Sequence, residues 1–335
     1  MRTTIVLLIL LCAALLAPAP ERPQAAGAAA GDPKAGMPFT LVVLPDTQTY
    51  TLSAPEIFTA QTRWIRDNKD KWNIAFVAHL GDIVENGPKE DEWQRANESM
   101  SLLDGVVPYG IVPGNHDYNS TSARNTTLYN KYFPVSRFEK QPWYGGHFGE
   151  NNDNSYQTFR TEGMDFLSLC LELGPRDEVL EWAGGVIARY PRHRVIVITH
   201  CYLNFDGTRV RKGHEYHTST YVRKGNDGEA IWEKLVSQHK NIFLVLSGHM
   251  LGPAARLIGE GREGNRVHEL FSNYQGSKKG WLRIMTFLPR ENRIDVTTYS
   301  PTLDKYLEDG NNKFSLDYAM QPGKSGPPDK PNNNQ

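Results

Sequence analysis

Cysteine is scarce in this chain. Its 335 residues include three cysteines, Cys12, Cys170 and Cys201, too few for the disulfide framework of a small secreted domain. Stability must therefore come from a hydrophobic core, and 39% hydrophobic and 10% aromatic residues are enough to build one. Cys170 and Cys201 could form a disulfide if their strands are neighbours; two buried free thiols are the alternative.

Net charge is also almost absent. The chain has 37 Lys and Arg against 38 Asp and Glu, a formal charge of −1. This balance excludes a highly charged disordered chain. It also argues against a dedicated nucleic-acid binder, whose phosphate contacts require clustered excess Lys and Arg. We therefore expect no stable nucleic-acid partner.

Long hydrophobic runs are missing except at the N-terminus. There an uncharged stretch from Thr3 to Pro20 has an apolar centre at Ile5–Leu16, well short of the roughly 20 residues that a spanning helix needs. A tract of small residues, Ala25–Ala30, follows it. This pattern predicts a signal peptide over residues 1–30, hence export to the periplasm or the medium, with an uncleaved anchor as the alternative. No transmembrane segment is expected in the mature chain.

The first third of the remaining chain alternates between strands and helices. Buried strands are predicted at Phe39–Leu44, Ile74–Leu80 and Val106–Val112, with helices at Pro55–Lys71 and Glu90–Leu103. The spacing between successive strand ends fits strand–helix–strand crossovers of about 30 residues. The polar residues that follow these strands should therefore lie side by side at the carboxyl edge of one sheet.

The rest of the chain continues the mixed pattern. Strands are predicted at Ser155–Arg160, Met164–Leu171, Arg194–Thr199 and Ile242–Leu246, and helices at Arg176–Arg189 and Asp227–His239. Alternating runs at Ala254–Ile258, Arg266–Phe271, Trp281–Leu288 and Ile294–Tyr299 predict an antiparallel closing segment. Two polar stretches, 118–154 and 204–226, are candidate functional loops. We expect one domain over residues 37–320, followed by a low-complexity, disordered tail over 321–335.

Five of these strands end in residues that bind metals. The five strand ends are Asp46-Thr47-Gln48, Gly81-Asp82, Gly114-Asn115-His116-Asp117, Thr199-His200 and Gly248-His249. Carboxylate and amide groups supply hard oxygen donors and histidine supplies nitrogen, while glycine lets the backbone approach closely. One such dipeptide carries little information, but five in order indicate a metal centre rather than a set of helix caps. We expect His79, inside its strand, to be a core histidine.

The order of these motifs resembles that of the calcineurin-like metallophosphoesterase superfamily, Asp-x-His, Gly-Asp, Gly-Asn-His-Asp/Glu, His and Gly-His-x-His. The resemblance spans Phe39 to Tyr299. It implies an α/β fold arranged as a four-layer α/β/β/α sandwich, and two divalent ions (Mn, Fe, Zn or Mg) that activate a hydroxide to hydrolyse a small phosphate mono- or diester.

The resemblance also implies a role for individual residues. Asp82 would bridge both ions, Asp46 would belong to the first site, and the second site would be completed by Asn115, His200 and His249. His116 would not be a ligand. It would stabilise the transition state or protonate the leaving oxygen, held by Asp117.

Two departures from the family pattern fall on the first metal site. Gln48 stands where the first motif has histidine, and Leu251 stands where the last motif has its second histidine. Gln48 still offers a carbonyl oxygen, and we hypothesise that Gln275 or Asn273 reaches the place left by Leu251. An oxygen-rich first site would prefer Mn²⁺ or Mg²⁺ and bind them more weakly.

These departures leave a second function open, that of a weak or inactive binding protein that keeps the fold. The pair His116-Asp117 favours the enzyme, because a binding protein would not require it. Substrate-binding residues, the choice between monoester and diester, and the oligomeric state are not indicated by the sequence.

Overall fold

The protein is described here by a computed structural model, which covers residues 36–320. In chain order the elements are β1 (Phe39–Leu44), α1 (Gln48–Ser53), α2 (Pro55–Asn68), β2 (Ile74–His79), α3 (Glu90–Met100), β3 (Tyr109–Ile111), α4 (Thr127–Tyr132), α5 (Val135–Phe138), β4 (Tyr144–His147), β5 (Ser155–Thr161), β6 (Met164–Leu171), α6 (Asp177–Arg189), β7 (Arg194–Thr199), α7 (Gly228–Lys234), β8 (Ile242–Ser247), β9 (Ala255–Glu260), β10 (Arg266–Phe271), β11 (Leu282–Leu288), β12 (Arg293–Ser300), β13 (Lys305–Leu307) and β14 (Phe314–Asp317). The predicted signal peptide and C-terminal tail lie outside the described residues.

The strands form two sheets of seven. The first has the order β13-β12-β11-β1-β2-β3, with β14 also paired to β12, and the second has the order β4-β5-β6-β7-β8-β10-β9. Strands β1, β2 and β3 are parallel, as are β6, β7, β8 and β10. The carboxyl ends of the strands that carry the polar motifs therefore meet at one edge of each sheet.

Three hydrophobic cores separate four layers. Along β1, Val42 and Leu44 face a core shared with α2 and α3, whereas Leu41 and Val43 face a core between the two sheets. A third core lies between the second sheet and helices α6 and α7. Because side chains alternate across a strand, a strand that is buried on both faces reads as a continuous apolar run. The α/β/β/α sandwich is confirmed.

Two predicted elements are shorter than expected. Strand β3 covers only the middle of the predicted Val106–Val112, since Pro108 and Pro113 flank it and have no N–H to donate to the ladder. Helix α7 begins after Asp227, whose side chain accepts a hydrogen bond from the Ala230 N–H (3.1 Å), and ends at Lys234, where the chain tightens into a 3₁₀ turn.

The predicted closing strands do form antiparallel pairs, β9 with β10 and β11 with β12, but they are divided between the two sheets. Strands β9 and β10 extend the second sheet, with β10 parallel to β8, whereas β11 to β14 complete the first sheet on the far side of β1. Alternating hydrophobicity identifies a strand with one protected face, but it contains no information about which neighbour the strand pairs with.

The polar stretch 118–154 is folded rather than open. It contains α4, α5 and β4, which the sequence did not predict, and its aromatic side chains hold it in place: Tyr129 and Phe133 pack on Trp93 of α3, and Phe138 packs on Tyr109 of β3. Such aromatic pairs add stability beyond the area that they bury. Residues 118–154 thus form an ordered segment that packs against α3 and β3.

Both cysteines of the described region are buried free thiols. Cys170 contacts Gln157, and Cys201 contacts Thr218, so the disulfide alternative is not realised. Within residues 36–320, no helix is long and apolar enough to cross a membrane.

Candidate metal centre

The five polar motifs converge although they belong to two different sheets. Asp82, His200 and His249 each present a ligand atom, and these atoms lie within 4.8 Å of one another. All three residues are buried. Asp82 follows β2 of the first sheet, whereas the two histidines follow β7 and β8 of the second. The predicted second-site residues therefore come from both sheets and meet at the carboxyl ends of their strands.

Backbone carbonyls fix which nitrogen of each histidine faces the centre. His200 Nδ1 lies 2.8 Å from the Leu80 oxygen, and His249 Nε2 lies 2.8 Å from the Tyr216 oxygen, so both of these nitrogens donate. The remaining atoms, His200 Nε2 and His249 Nδ1, lie 3.2 Å apart. An imidazole that donates its outer N–H to a carbonyl is the usual arrangement of a metal ligand, because it orients the ring and raises its basicity.

Two oxygens complete this cluster. His200 Nε2 lies 3.2 Å from Asp82 Oδ2 and 3.2 Å from Asn115 Oδ1. A carboxylate, an amide oxygen and two imidazole nitrogens suit Zn²⁺, Fe²⁺ or Mn²⁺. The donors present thus fit the divalent ion that the sequence pattern implies.

The electrostatics of the cluster favour a cation. Burial and the neighbouring His200 lower the pKa of His249 to about 4. Burial would also lower the pKa of His200, but Asp82 and Asp46 raise it to about 9. Burial alone would raise the pKa of Asp82, yet its contact with His200 holds that pKa below its usual value. The buried carboxylates thus favour a positive charge at His200, where a metal ion would replace the proton.

Two glycines make this close approach possible. A Cβ on Gly114 would lie 2.2 Å from Asp82 Oδ1, and a Cβ on Gly248 would lie 2.2 Å from Asp46 Oδ1. Asp82 (φ 48°) and His249 (φ 78°), each directly after a glycine, take left-handed backbone conformations that L-residues rarely adopt. Such backbone strain persists only where the surrounding structure imposes it, and it is found most often at functional sites.

Asp46 lies on the other side of the cluster. Its Oδ2 accepts hydrogen bonds from the His249 N–H (3.1 Å) and from Asn273 Nδ2 (3.0 Å). Burial raises the pKa of Asp46 to about 7. The Asn273 oxygen accepts from the Gln275 N–H (3.0 Å), so Asn273 positions Asp46 and its own oxygen is already bonded. Leu251 is 56% exposed.

Gln48 and Gln275 are both buried, and the side-chain oxygen of each has no hydrogen-bond partner. Gln48 is the first residue of α1, two positions after Asp46. Gln275 begins a 3₁₀ turn after β10. The Gln275 N–H is bonded to Asn273, which in turn bonds Asp46, so both unpaired oxygens belong to segments that contact the Asp46 turn.

His116 lies at the rim of the centre, with its side chain 34% exposed. Its N–H donates to Asp82 Oδ1 (2.9 Å), and its Nδ1 lies 2.8 Å from the Glu85 carbonyl oxygen and 3.7 Å from Glu85 Oε1. Burial would lower the pKa of His116, but the carboxylates of Asp82 and Glu85 leave it raised. Glu85 is a site residue that the sequence reasoning missed, although its place three residues after Asp82, in the same turn, was a usable signal.

The expectation that Asp117 holds the His116 ring is wrong. The Asp117 carboxylate is fully buried and accepts three backbone N–H groups, those of Ile83 (2.8 Å), Val84 (3.0 Å) and Gly114 (2.8 Å). It therefore ties the turn after β2 to the turn after β3. Because those turns carry Asp82 and Asn115, Asp117 positions ligands rather than the histidine.

The prediction that His79 is a core residue is confirmed. It is fully buried, its Nδ1 accepts from the Gly81 N–H (3.2 Å), and its Nε2 lies 3.1 Å from the Thr47 hydroxyl. Burial lowers the pKa of His79 to about 3, which keeps the ring neutral. His79 supports the two turns that carry Asp46 and Asp82.

Two facing sheets covered by helices, with carboxylates and histidines gathered at the carboxyl edges of the strands, define the class of four-layer metallophosphoesterase domains. Comparison with known sequences agrees. The family model described as calcineurin-like phosphoesterase matches residues 39–253, and the chain belongs to that family.

Similar proteins are found in bacteria. The chain is 33% identical over 299 residues to the uncharacterized protein YvnB of Bacillus subtilis (strain 168), covering 85% of this chain and 22% of that protein. It is 26% identical over 179 residues to a probable glycerophosphodiester phosphodiesterase, GpdQ, of Arcobacter nitrofigilis, covering 52% of this chain and 55% of that one. The chain thus spans about a fifth and about half of these two relatives. Among solved structures, purple acid phosphatase PPD1 from yellow lupin (Lupinus luteus) aligns with a TM-score of 0.49 at 12% identity, over 86% of this chain and 55% of that one.

Proposed function

We propose that this protein is an exported, metal-dependent phosphoesterase that hydrolyses a mono- or diester of a small molecule with the help of two divalent ions. The observation that carries this proposal is the convergence of Asp82, Asn115, His200 and His249, with the outer nitrogen of each imidazole bonded to a backbone carbonyl. Membership of the calcineurin-like phosphoesterase family supports it.

The residues of the site have different roles in the proposed reaction. Bound divalent ions supply a water of lowered pKa and neutralise phosphate oxygens. Asp82, whose Oδ2 lies 3.2 Å from His200 Nε2 and whose charge raises the pKa of Asp46, would be a ligand shared by both ions. His116 stands at the exposed rim with its ring oriented by Glu85, a position from which it would protonate the leaving oxygen.

The proposed substrate class is based on the net charge of the chain and on one bacterial relative. A near-neutral chain does not favour a long polyanion such as nucleic acid, so a small ester is the better fit. The name of the Arcobacter relative supports a diester as the first compound to test. Export is inferred from the N-terminal sequence, and secretion of a reporter fused to residues 1–30 would test it separately.

The direct test compares hydrolysis of aryl phosphate monoesters and diesters by the purified protein with and without Mn²⁺. Asn115→Ala should reduce kcat strongly, because it removes a ligand, and Asn151→Ala, at an exposed asparagine of a loop, is the matched control. His116→Ala should lower kcat by about 10² to 10⁴ and leave ion binding in place. A wild-type protein without turnover under every metal, or an Asn115→Ala variant with full activity, would refute the proposal.

A further inference from the structure

Two buried glutamines near Asp46 in the fold are candidates to replace the two histidines missing from the first metal site. Gln48 and Gln275 are 2% and 8% exposed, and neither side-chain oxygen has a hydrogen-bond partner. Leaving a buried acceptor unpaired is unfavourable, so both atoms require an explanation. A cation that accepts their lone pairs would provide one.

Hydrogen bonds fix the segment of each glutamine near the metal-binding turns. On the Gln48 side, the Thr47 N–H donates to the Asp82 carbonyl (3.0 Å) and the Thr47 hydroxyl donates to the Ile83 carbonyl (3.2 Å). The start of α1 is thereby fixed on the turn that carries Asp82. Gln48 consequently begins its helix next to that turn and two residues after Asp46.

Gln275 is tied to the same place from two directions. Its carbonyl accepts the hydroxyl of Thr49, the residue after Gln48 (2.8 Å), and its N–H donates to the Asn273 oxygen (3.0 Å). The Asn273 amide in turn donates to Asp46 Oδ2 (3.0 Å). A segment from after β10 is therefore bonded to both α1 and Asp46, which are more than 220 residues away along the chain.

An unpaired amide oxygen alone does not define a ligand. Gln61 also has one, but Gln61 lies in α2, and its Nε2 donates to the Trp281 carbonyl (2.9 Å). What distinguishes Gln48 and Gln275 is that their segments contact the residues of the site: Gln48 follows Asp46 by two positions, and Gln275 is bonded to Asp46 through Asn273. Asn273, the alternative to Gln275, donates to Asp46 Oδ2 and accepts from the Gln275 N–H, so it supports both residues.

We infer that the first metal site of this protein is built from oxygen alone, with Asp46, Asp82 and the side-chain carbonyl oxygens of Gln48 and Gln275 as its ligands. The inference rests on the proposed function and specifies its first site. An all-oxygen site suits hard ions such as Mn²⁺ and Mg²⁺, whereas imidazoles shift preference towards Zn²⁺. The two sites of one centre should therefore differ in ion preference.

The test counts ions on the full-length protein after chelation and dialysis, using Mn²⁺ alone as the probe and electron paramagnetic resonance to measure free Mn²⁺. Wild type should bind two Mn²⁺. Gln48→Met and Gln275→Met should each weaken one of them at least tenfold, and the double variant should bind one. Gln61→Met is the control, since it makes the same substitution at a buried glutamine and should leave the count at two.

Two further readouts separate a ligand from a structural residue. Without metal, Gln48→Met and Gln275→Met should keep or raise the urea midpoint, because methionine fills the space without an unpaired oxygen. Gln61→Met should lower it by removing a bonded amide. In competition experiments Gln48→His should move the Zn²⁺ to Mn²⁺ affinity ratio towards Zn²⁺.

The outcomes distinguish this inference from the proposed function. A double variant that still binds two Mn²⁺ with unchanged affinity overturns the inference, as does a wild type that binds one at saturation or a Gln48→His variant with an unchanged affinity ratio. In the first and third of these cases, hydrolysis that depends on Asn115 would leave the proposed function intact, whereas a wild type that binds one ion would also contradict the two-ion part of that proposal. Two bound ions without hydrolysis of any ester would instead overturn the proposed function and leave the ligand set in place.

Discussion

Asp117→Asn tests whether Asp117 is a structural residue. The asparagine oxygen can still accept the N–H groups of Ile83 and Val84, but its NH₂ group then meets the Gly114 N–H, which donates to Oδ2 in the native protein. One hydrogen bond is lost and the buried Gly114 N–H is left unpaired, which costs about 1–3 kcal/mol. Because burial raises the pKa of Asp117 to about 8, its carboxyl is mostly neutral at pH 7, and we expect the free energy of unfolding to fall by this amount without a further contribution from a lost charge.

Urea unfolding, followed by tryptophan fluorescence in EDTA at pH 7, measures this change without a contribution from bound metal. The chain has seven tryptophans, among them the fully buried Trp93, so the signal should be large. Asp70→Asn is the control, since it makes the same change at a side chain that is 94% exposed, and should shift stability by less than about 0.5 kcal/mol. An Asp117→Asn variant as stable as this control would refute the reasoning, and a normal stability with a loss of kcat would return Asp117 to the role of partner to His116.

Three other predictions concern neighbours of the site. Glu85→Gln removes a charge that raises the pKa of His116. Because His116 must be protonated to act as a proton donor, the alkaline limb of the kcat–pH profile should move to lower pH. An unmoved limb would show that Glu85 does not raise the pKa of His116. Gly248→Ala places a Cβ 2.2 Å from Asp46 Oδ1 and should lower the free energy of unfolding by about 1–3 kcal/mol. It should also weaken Mn²⁺ binding in a titration, and normal binding would contradict the close approach of Gly248 to Asp46. His79→Leu leaves the buried Gly81 N–H without its acceptor and should cost about 1–3 kcal/mol in urea unfolding with the Mn²⁺ count unchanged; a lost ion would make His79 a ligand after all.

Local pattern was sufficient for the strands that carry the site. Runs such as Arg194–Thr199 are apolar on both faces because each strand is buried between two layers, and this property is visible without any partner. The polar residues that follow each strand are recognisable because they directly follow such an apolar run. Asp82, His200 and His249 could therefore be proposed as ligands before the fold was known.

The roles of Asp117 and Asn273 could not be predicted in the same way. Each depends on which partner its side-chain atoms meet, and those partners come from distant segments: Asp117 bonds the turn after β2, and Asn273 bonds Asp46. Residue type limits what a side chain can donate or accept, but it does not select the partner.

Sequence alone settled the chemistry available to this protein, since the kinds of donor and their order after buried strands are properties of the chain. Tertiary structure decided how the donors are shared. It joined the ends of two sheets into one cluster and turned His200 and His249 inward by bonding their outer nitrogens to carbonyls. It also brought Asn273 to Asp46 and Gln275 to Thr49 across more than 220 residues. These are long-range contacts, fixed by the packing of layers rather than by any local preference of the residues that make them.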